Sequence, residues 1–248
     1  TVLTPLKEKK AGLILTRVSV KLTLALLLIG VLVFINADFL INNLAPNLNP
    51  PTKLNAINQL RIMSPCIPLS GFIGLSFGAL NSKNKFFLSS FSPSIISLVT
   101  ILFIFLNFYS IEKNNFALNS LNILAFATLI GTLIQFFIQI LEIYKIGLLK
   151  LKLDWKIGLN EEKRIFKIII PSSFASGLGQ INVFVDMFFA SSFQGAASGL
   201  AYGNFLIQAP LGVLSNALIL PLLPKFSKFN SNQDNRNLEK SLISGIEY

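Results

Sequence analysis

The chain has 248 residues, of which 52% are hydrophobic and only 13% are charged. A soluble domain carries roughly 25% charged residues on average, so this composition argues against one. The net charge of +10 would suit nucleic acid, but the basic residues lie in short segments between apolar runs. That pattern is typical of a membrane topology signal, and we therefore expect a lipid bilayer as partner and no nucleic acid.

Histidine is absent and Cys66 is the only cysteine. This excludes disulfide frameworks and Cys/His zinc sites and removes the most common general base. No glycine-rich phosphate loop or nucleophile with a histidine base is present. The sequence predicts a protein that is not an enzyme and that has no cofactor and no metal cluster.

Six stretches approach the 20 or so mostly apolar residues that a membrane-spanning helix needs. In chain order they are Leu22–Leu40, Leu60–Leu80, Phe91–Phe108, Leu118–Leu141, Ile168–Phe193 and Gly199–Leu223. We predict an all-α fold, a polytopic transmembrane helical bundle.

The loops between these stretches predict the orientation of the bundle. With the N-terminus inside, the inner segments hold 18 of the 21 Lys and Arg residues, and the outer ones hold only Lys53, Arg61 and Lys113. The positive-inside rule then predicts that both termini are cytoplasmic.

Small and polar residues distinguish some spans from others. Pro65 and Pro68 predict a bent second span, in which Gly74 and Gly78 form a pair that favours close helix packing. The fourth span carries a polar face that we interpret as interhelical packing and hydrogen bonding: Thr128, Gly131, Thr132, Gln135 and Gln139.

The long segment Leu141–Lys167 is basic and partly amphipathic, which favours an interfacial position. We predict three parts: residues 1–141 with four spans, a basic cytoplasmic interfacial linker at 142–167, and residues 168–248 with two spans and the approach to another. Glu161 and Glu162 are interpreted as a solvated helix start.

The fifth span has a polar face at helical spacing: Ser172, Ser176, Gly179, Asn182, Asp186 and Ala190. Inserting a carboxylate within a membrane span costs about 2.5–3.5 kcal/mol, so a compensating interaction is expected at Asp186. It either faces a substrate or cation, or it reaches the outer interface and neighbouring helices. The sixth span repeats the pattern with Asn204 and Gln208, again open to a packing or a cavity role.

Two motifs stand out in these last spans. The first reads GQIN..VD..FAS from Gly179, and the second reads AY.N...QAPLGVLSNALILPLLPKFS from Ala201. Together with residues 61–98, they resemble the MurJ/MviN family of lipid II flippases, in the multidrug/oligosaccharidyl-lipid/polysaccharide exporter superfamily.

The resemblance implies a two-lobed flippase fold, of which this chain covers roughly the third to eighth helices, the rest lying in missing helices of a longer chain. It implies alternating-access transport of an undecaprenyl-pyrophosphate-linked lipid across the bacterial plasma (inner) membrane, coupled to Na+ or to the membrane potential. A monovalent cation is expected at Asp186, and Phe205 stands where many members carry arginine. The candidate substrate- or cation-binding residues are Asp186, Asn182, Gln180, Asn204 and Gln208.

Three alternatives stay open at this point. The chain could belong to a related exporter of other lipid-linked oligosaccharides or of drugs, or it could be an inactive fragment. A membrane enzyme acting on polyprenyl-linked sugars is the third, but it would need acidic or His-rich loops, whereas these loops are basic and lack His.

Overall fold

The computed structural model describes residues 8–83, 85–113, 120–149 and 159–212, and these form helices, turns and bends without a β-strand. The helices are α1 (Glu8–Ile35), α2 (Ala37–Leu44), α3 (Pro50–Met63), α4 (Cys66–Ser82), α5 (Phe86–Phe91), α6 (Ser94–Lys113), α7 (Ser120–Lys145) and α8 (Leu159–Ala190). Residues 196–212 are also helical and are named α9. The chain divides into two compact units, residues 1–189 and 190–248. The predicted all-α class is confirmed, and the predicted three-part division stays a prediction.

The first span differs from its prediction at both ends. The helix begins at Glu8 instead of Leu22 and ends at Ile35, because Asn36 interrupts it before α2. The residues before Leu22 are helical because apolar side chains recur at helical spacing between the basic ones. They are buried against other helix ends rather than against lipid: Ala11, Ile14, Leu15 and Val18.

The second predicted span corresponds to α3 and α4, which meet at an angle of 47°. α3 begins at Pro50, where the side chain of Asn49 accepts a hydrogen bond of 3.1 Å from the backbone of Thr52. The break falls at Ser64 and Pro65, between the two helices. The predicted bend at the prolines is therefore confirmed, although the bent pair begins ten residues before the predicted Leu60.

Close packing between α1 and α4 depends on glycines other than the predicted pair. A methyl group on Gly71 would lie 2.4 Å from Cδ1 of Leu26, and one on Gly30 would also crowd the facing helix. Gly74 and Gly78 have nothing within 4 Å of the same position. Among the described residues the prediction of close packing at Gly74 and Gly78 is wrong, because the close contact with α1 falls at Gly71 and the space around the other two glycines is open.

α5, α6 and α7 pack through a buried polar contact and a close approach. Ser92, in the break between α5 and α6, is fully buried and accepts hydrogen bonds from Gln139 (2.7 Å) and Gln135 (3.3 Å). A methyl group on Gly131 of α7 would lie 2.9 Å from Cα of Ile96 in α6. These contacts agree with the packing interpretation of the fourth span.

One hydrophobic cluster joins the helix ends that the sequence predicts to be cytoplasmic. It combines the start of α1, the end of α4, the end of α7 and the residue after its terminal turn. Its buried members are Ala11, Leu15, Ala79, Leu80, Ile143 and Leu148. We call this part of the molecule the basic end, because Lys83, Lys85 and Lys145 lie beside the cluster in sequence.

Leu148 belongs to the predicted interfacial linker, yet it is only 1% exposed. Gly147, with φ of 71°, turns the chain after α7 so that Leu148 reaches the cluster. In residues 142–149 of the linker, Ile143 and Leu148 therefore pack on protein, and residues 150–158 lie outside the described residues.

Three described helices have the length and composition of a membrane span: Lys10–Ile35 in α1, Asn122–Lys145 in α7, and α8. The α3–α4 pair adds a fourth if it crosses as one bent span, while the apolar part of α6, Ser94–Asn107, is shorter. The sixth predicted span lies outside the described residues from 213 onward, as does the predicted approach to another span at 238–248. The described part of the chain is that of a multi-pass membrane protein.

Candidate functional site

The polar face of α8 carries the residues that the sequence singles out. Asn182 and Asp186 are four residues apart on one unbroken helix, so their side chains lie on the same side one turn apart. Both are exposed, as are Ser172, Ser176 and Gly179 on the same face. Asp186 lies 18 residues beyond Ile168, or about 27 Å along the helix axis. It therefore lies in the last turns of α8, which ends at Ala190.

Gln180 is also exposed, but it does not share this face. Two residues on an α-helix are separated by about 200° around the axis, so Gln180 lies opposite Asn182. The structure brings Asn182 and Asp186 together and leaves Gln180 apart from them.

In α9, Asn204 and Gln208 also lie one turn apart, and Nε2 of Gln208 donates a hydrogen bond of 3.2 Å to Oδ1 of Asn204. Both residues are exposed. Phe205, which follows Asn204, is 72% exposed. The two amides therefore form a small polar pair beside a large apolar side chain.

The chemistry available on these two helices is that of polar binding. Among the described residues, no group of three or more His, Cys, Asp or Glu side chains could hold a metal ion. On α8, the carboxylate of Asp186 and the amide oxygen of Asn182 are hard oxygen donors, which suit a monovalent cation or the hydroxyl and amide groups of a ligand.

The first turn of α8 is held by three basic side chains of α1. Arg17 contacts Glu162 at 3.0 Å, and Lys21 contacts the same carboxylate at 2.5 Å. Lys10 contacts Glu161 at 2.6 Å. We call these residues the charged anchor. The three cations share one face of α1 because they are seven and four residues apart.

This arrangement corrects the interpretation of Glu161 and Glu162 as a solvated helix start. They do lie in the first turn of α8, where negative charge is favoured by the helix dipole. Glu162, however, is only 4% exposed, and Arg17 is fully buried. The partners are 145 residues apart in the sequence, and no local pattern indicates such a pairing.

The anchor changes the titration of both carboxyl groups, which lie in the charged start of α8. The predicted span begins at Ile168, after the charged residues 161–164, so both carboxyl groups precede the spanning segment. The hydrogen bond from Lys10 lowers the pKa of Glu161. Burial raises the pKa of Glu162, but hydrogen bonds from Lys21 and Arg17 outweigh it and hold that pKa below its usual value.

Comparison with known proteins agrees with this architecture. A sequence profile of the family described as "Lipid II flippase MurJ" matches residues 2–248. The chain belongs to the MurJ family.

Individual MurJ relatives match over most of this chain. A "Probable lipid II flippase MurJ" of Synechocystis is 35% identical over 245 residues, which is 97% of this chain and 46% of that protein. A protein of the same description from Buchnera aphidicola is 33% identical over 80% of this chain and 38% of its own length. The "Lipid II flippase MurJ" of Burkholderia cenocepacia is 28% identical over 77% of this chain and 37% of its own. The chain thus spans about half the length of the Synechocystis relative and a smaller share of the other two.

Proposed function

We propose that this chain forms part of a lipid II flippase, which moves an undecaprenyl-pyrophosphate-linked peptidoglycan precursor across the bacterial plasma membrane by alternating access. The observation that carries the proposal is the match to the MurJ family along residues 2–248. We expect the transport unit to include helices that correspond to the remaining length of the relatives.

We propose that the basic end faces the cytoplasm. The cluster of Ala11, Leu80, Ile143 and Leu148 supports this, because it brings the predicted inner ends of α1, α4 and α7 to one side. Arg61 and its partner Asp38 belong to α3 and α2, beyond the far end of α1. The positive-inside rule then gives a cytoplasmic N-terminus and α8 running outward.

We propose that α8 and α9 each carry polar residues that meet the substrate or a coupling cation. Asp186 holds a monovalent cation such as Na+, with Asn182 one turn away as a neutral oxygen donor. Asn204 and Gln208 offer amides for the polar groups of the lipid-linked precursor, and Gln180 contributes from another side of α8. Coupling to Na+ or to the membrane potential supplies the driving force, and no cofactor takes part.

Transport of this kind breaks no covalent bond, so the protein acts through binding and conformational change rather than as an enzyme. A pyrophosphate is best bound by Arg or Lys donors. α8 carries none between residues 168 and 190, whereas Lys163, Arg164 and Lys167 are exposed near its start. We therefore place the first contact with the pyrophosphate at the basic end and the later contacts along the polar face.

A chimaera tests the proposal. The aligned segment of the Synechocystis relative is replaced by residues 1–248 of this chain, and the product is expressed in a bacterium whose own flippase of this family can be switched off. We expect growth and cell shape to be restored. The intact relative is the positive control, and the relative with the aligned segment deleted is the negative control.

Insertion of the chimaera is measured in parallel by membrane fractionation and protease protection. Failure to restore growth at a membrane level equal to that of the intact relative would contradict the proposal. Restoration by the deleted relative would also contradict it, because this segment would then be unnecessary.

A further inference from the structure

The charged anchor differs from an ordinary surface ion pair in its burial. The side chains of Arg17 and Glu162 are 1% and 6% exposed, whereas those of Lys10 and Glu161 are 40% and 27% exposed. Removing two charges from water carries a large desolvation cost, so a buried ion pair is weak evidence for added stability. Its better-attested use is to fix the register of one element against another.

The rest of α8 has no comparable attachment. In α8, every described residue from 163 to 189 is exposed or half-buried, and none is buried. The neighbouring helices differ, because α1, α4 and α7 bury side chains against one another along the hydrophobic cluster. Among the described residues of the first compact unit, α8 is therefore attached at its start by the charged anchor, while residues 163–189 bury no side chain.

We propose that Arg17 and Glu162 are positioning residues that fix the base of α8 while the rest of the helix changes direction. The inference rests on the proposed function only in giving α8 a transport task. Lys21 shares the carboxylate of Glu162, so the base stays paired even when one of the two contacts opens. Pro171 removes a backbone donor nine residues further on and gives the helix a point of bending.

Because the base is fixed, a small change in the direction of α8 becomes a large displacement at the candidate site. Asp186 lies 24 residues beyond Glu162, or about 36 Å along the axis. A tilt of roughly 10° about the anchor moves Asp186 by about 6 Å at that length. The anchor thus sets the axis about which the polar face of α8 turns.

Distances between spin labels test this without any transport assay. The single cysteine is removed by Cys66→Ala, and labels are placed at Leu28→Cys in α1 and Phe174→Cys in α8, which are 68% and 75% exposed. The protein is studied as the full chain in lipid nanodiscs by pulsed electron paramagnetic resonance. We expect a few well-defined distances with the intact anchor and a broad distribution with Glu162→Gln.

Two further variants separate positioning from a general loss of structure. Glu161→Gln removes the neighbouring charge from the exposed pair and is expected to leave the distances unchanged. Glu162→Arg places three cations together and is expected to broaden the distribution of label distances. Adding Arg17→Glu to this variant is expected to narrow that distribution again. Narrowing in the double variant shows that the charge pair, rather than either side chain alone, orients α8.

The inference is overturned if Glu162→Gln leaves the distribution as narrow as before, or if Glu161→Gln broadens it equally. It is also overturned if Arg17→Glu fails to narrow the distribution of Glu162→Arg. Because these readouts need no substrate, a failed chimaera with normal distances would count against the proposed function and not against the anchor.

Discussion

Gln139 of α7 donates a hydrogen bond of 2.7 Å to the hydroxyl group of Ser92, in the break between α5 and α6. Both side chains are fully buried. The contact joins the C-terminal half of α7 to the break before α6. Gln135 donates a hydrogen bond to the same hydroxyl group.

Ser92→Ala is expected to destabilise the fold, because it removes the acceptor of two buried amide groups. Leaving such groups unsatisfied costs about 1–3 kcal/mol. Thermal unfolding in detergent, followed by circular dichroism, would show a lower midpoint. Ser90→Ala in α5 is the matched control, since Ser90 is exposed, and an equal loss in both variants would contradict the assignment.

Gly131→Ala is expected to push α6 and α7 apart. The added methyl group would lie 2.9 Å from Cα of Ile96, and overpacking of this kind costs about 1–3 kcal/mol. Gly74→Ala should be neutral or stabilising, because the space around it is open and alanine favours helix by about 1 kcal/mol. Unfolding midpoints that fall for Gly74→Ala and not for Gly131→Ala would reverse this account.

The charged anchor predicts a pH dependence. The folded-state pKa of Glu162 lies below its unfolded value near 4.5, so its contribution to stability is full at neutral pH. That contribution is lost as the pH falls from about 4.5 through the lower folded pKa. The unfolding midpoint should drop over this acidic range, and less steeply in Glu162→Gln. An unchanged slope in that variant would show that Glu162 is not the titrating group.

Asp186→Asn in the chimaera is expected to reduce transport about tenfold or more, which corresponds to roughly 1.4 kcal/mol. The amide keeps the shape of the side chain and removes the charge that attracts a cation. Insertion into the membrane should be unchanged. Asp38→Asn is the control, because Asp38 forms an exposed pair with Arg61, and such pairs contribute little. Full transport by Asp186→Asn would give Asp186 a structural role.

Hydropathy and prolines predicted the helical class and the bent second span, because both depend on local backbone chemistry. Hydropathy places the start of the first span at Leu22, whereas α1 is helical from Glu8. The buried residues Ala11 and Ile14 lie between Lys10 and Arg17, and these flanking charges lower the mean hydropathy of the segment. A stretch of charged residues in the sequence does not show whether those charges face water or protein.

Contacts between distant segments were beyond local patterns. Gly74 and Gly78 have the spacing of a packing motif, but only the position of α1 shows that Gly71 is the residue in contact. The partners Arg17 and Glu162 are 145 residues apart, so the local sequence favours a solvated helix start at Glu162 and gives no sign of the pairing. The polar face of Asn182 and Asp186 was predictable, because it needs only an unbroken helix, whereas its ligand stays a prediction.

The most direct test of the central claim is the movement of fluorescent lipid II across vesicles that contain the purified chimaera. A quencher that cannot cross the membrane reports the fraction of lipid II in each leaflet over time. We expect lipid II to change leaflet only in vesicles with the chimaera, and more slowly with Asp186→Asn. No movement above empty vesicles, under conditions in which the intact Synechocystis relative is active, would contradict it.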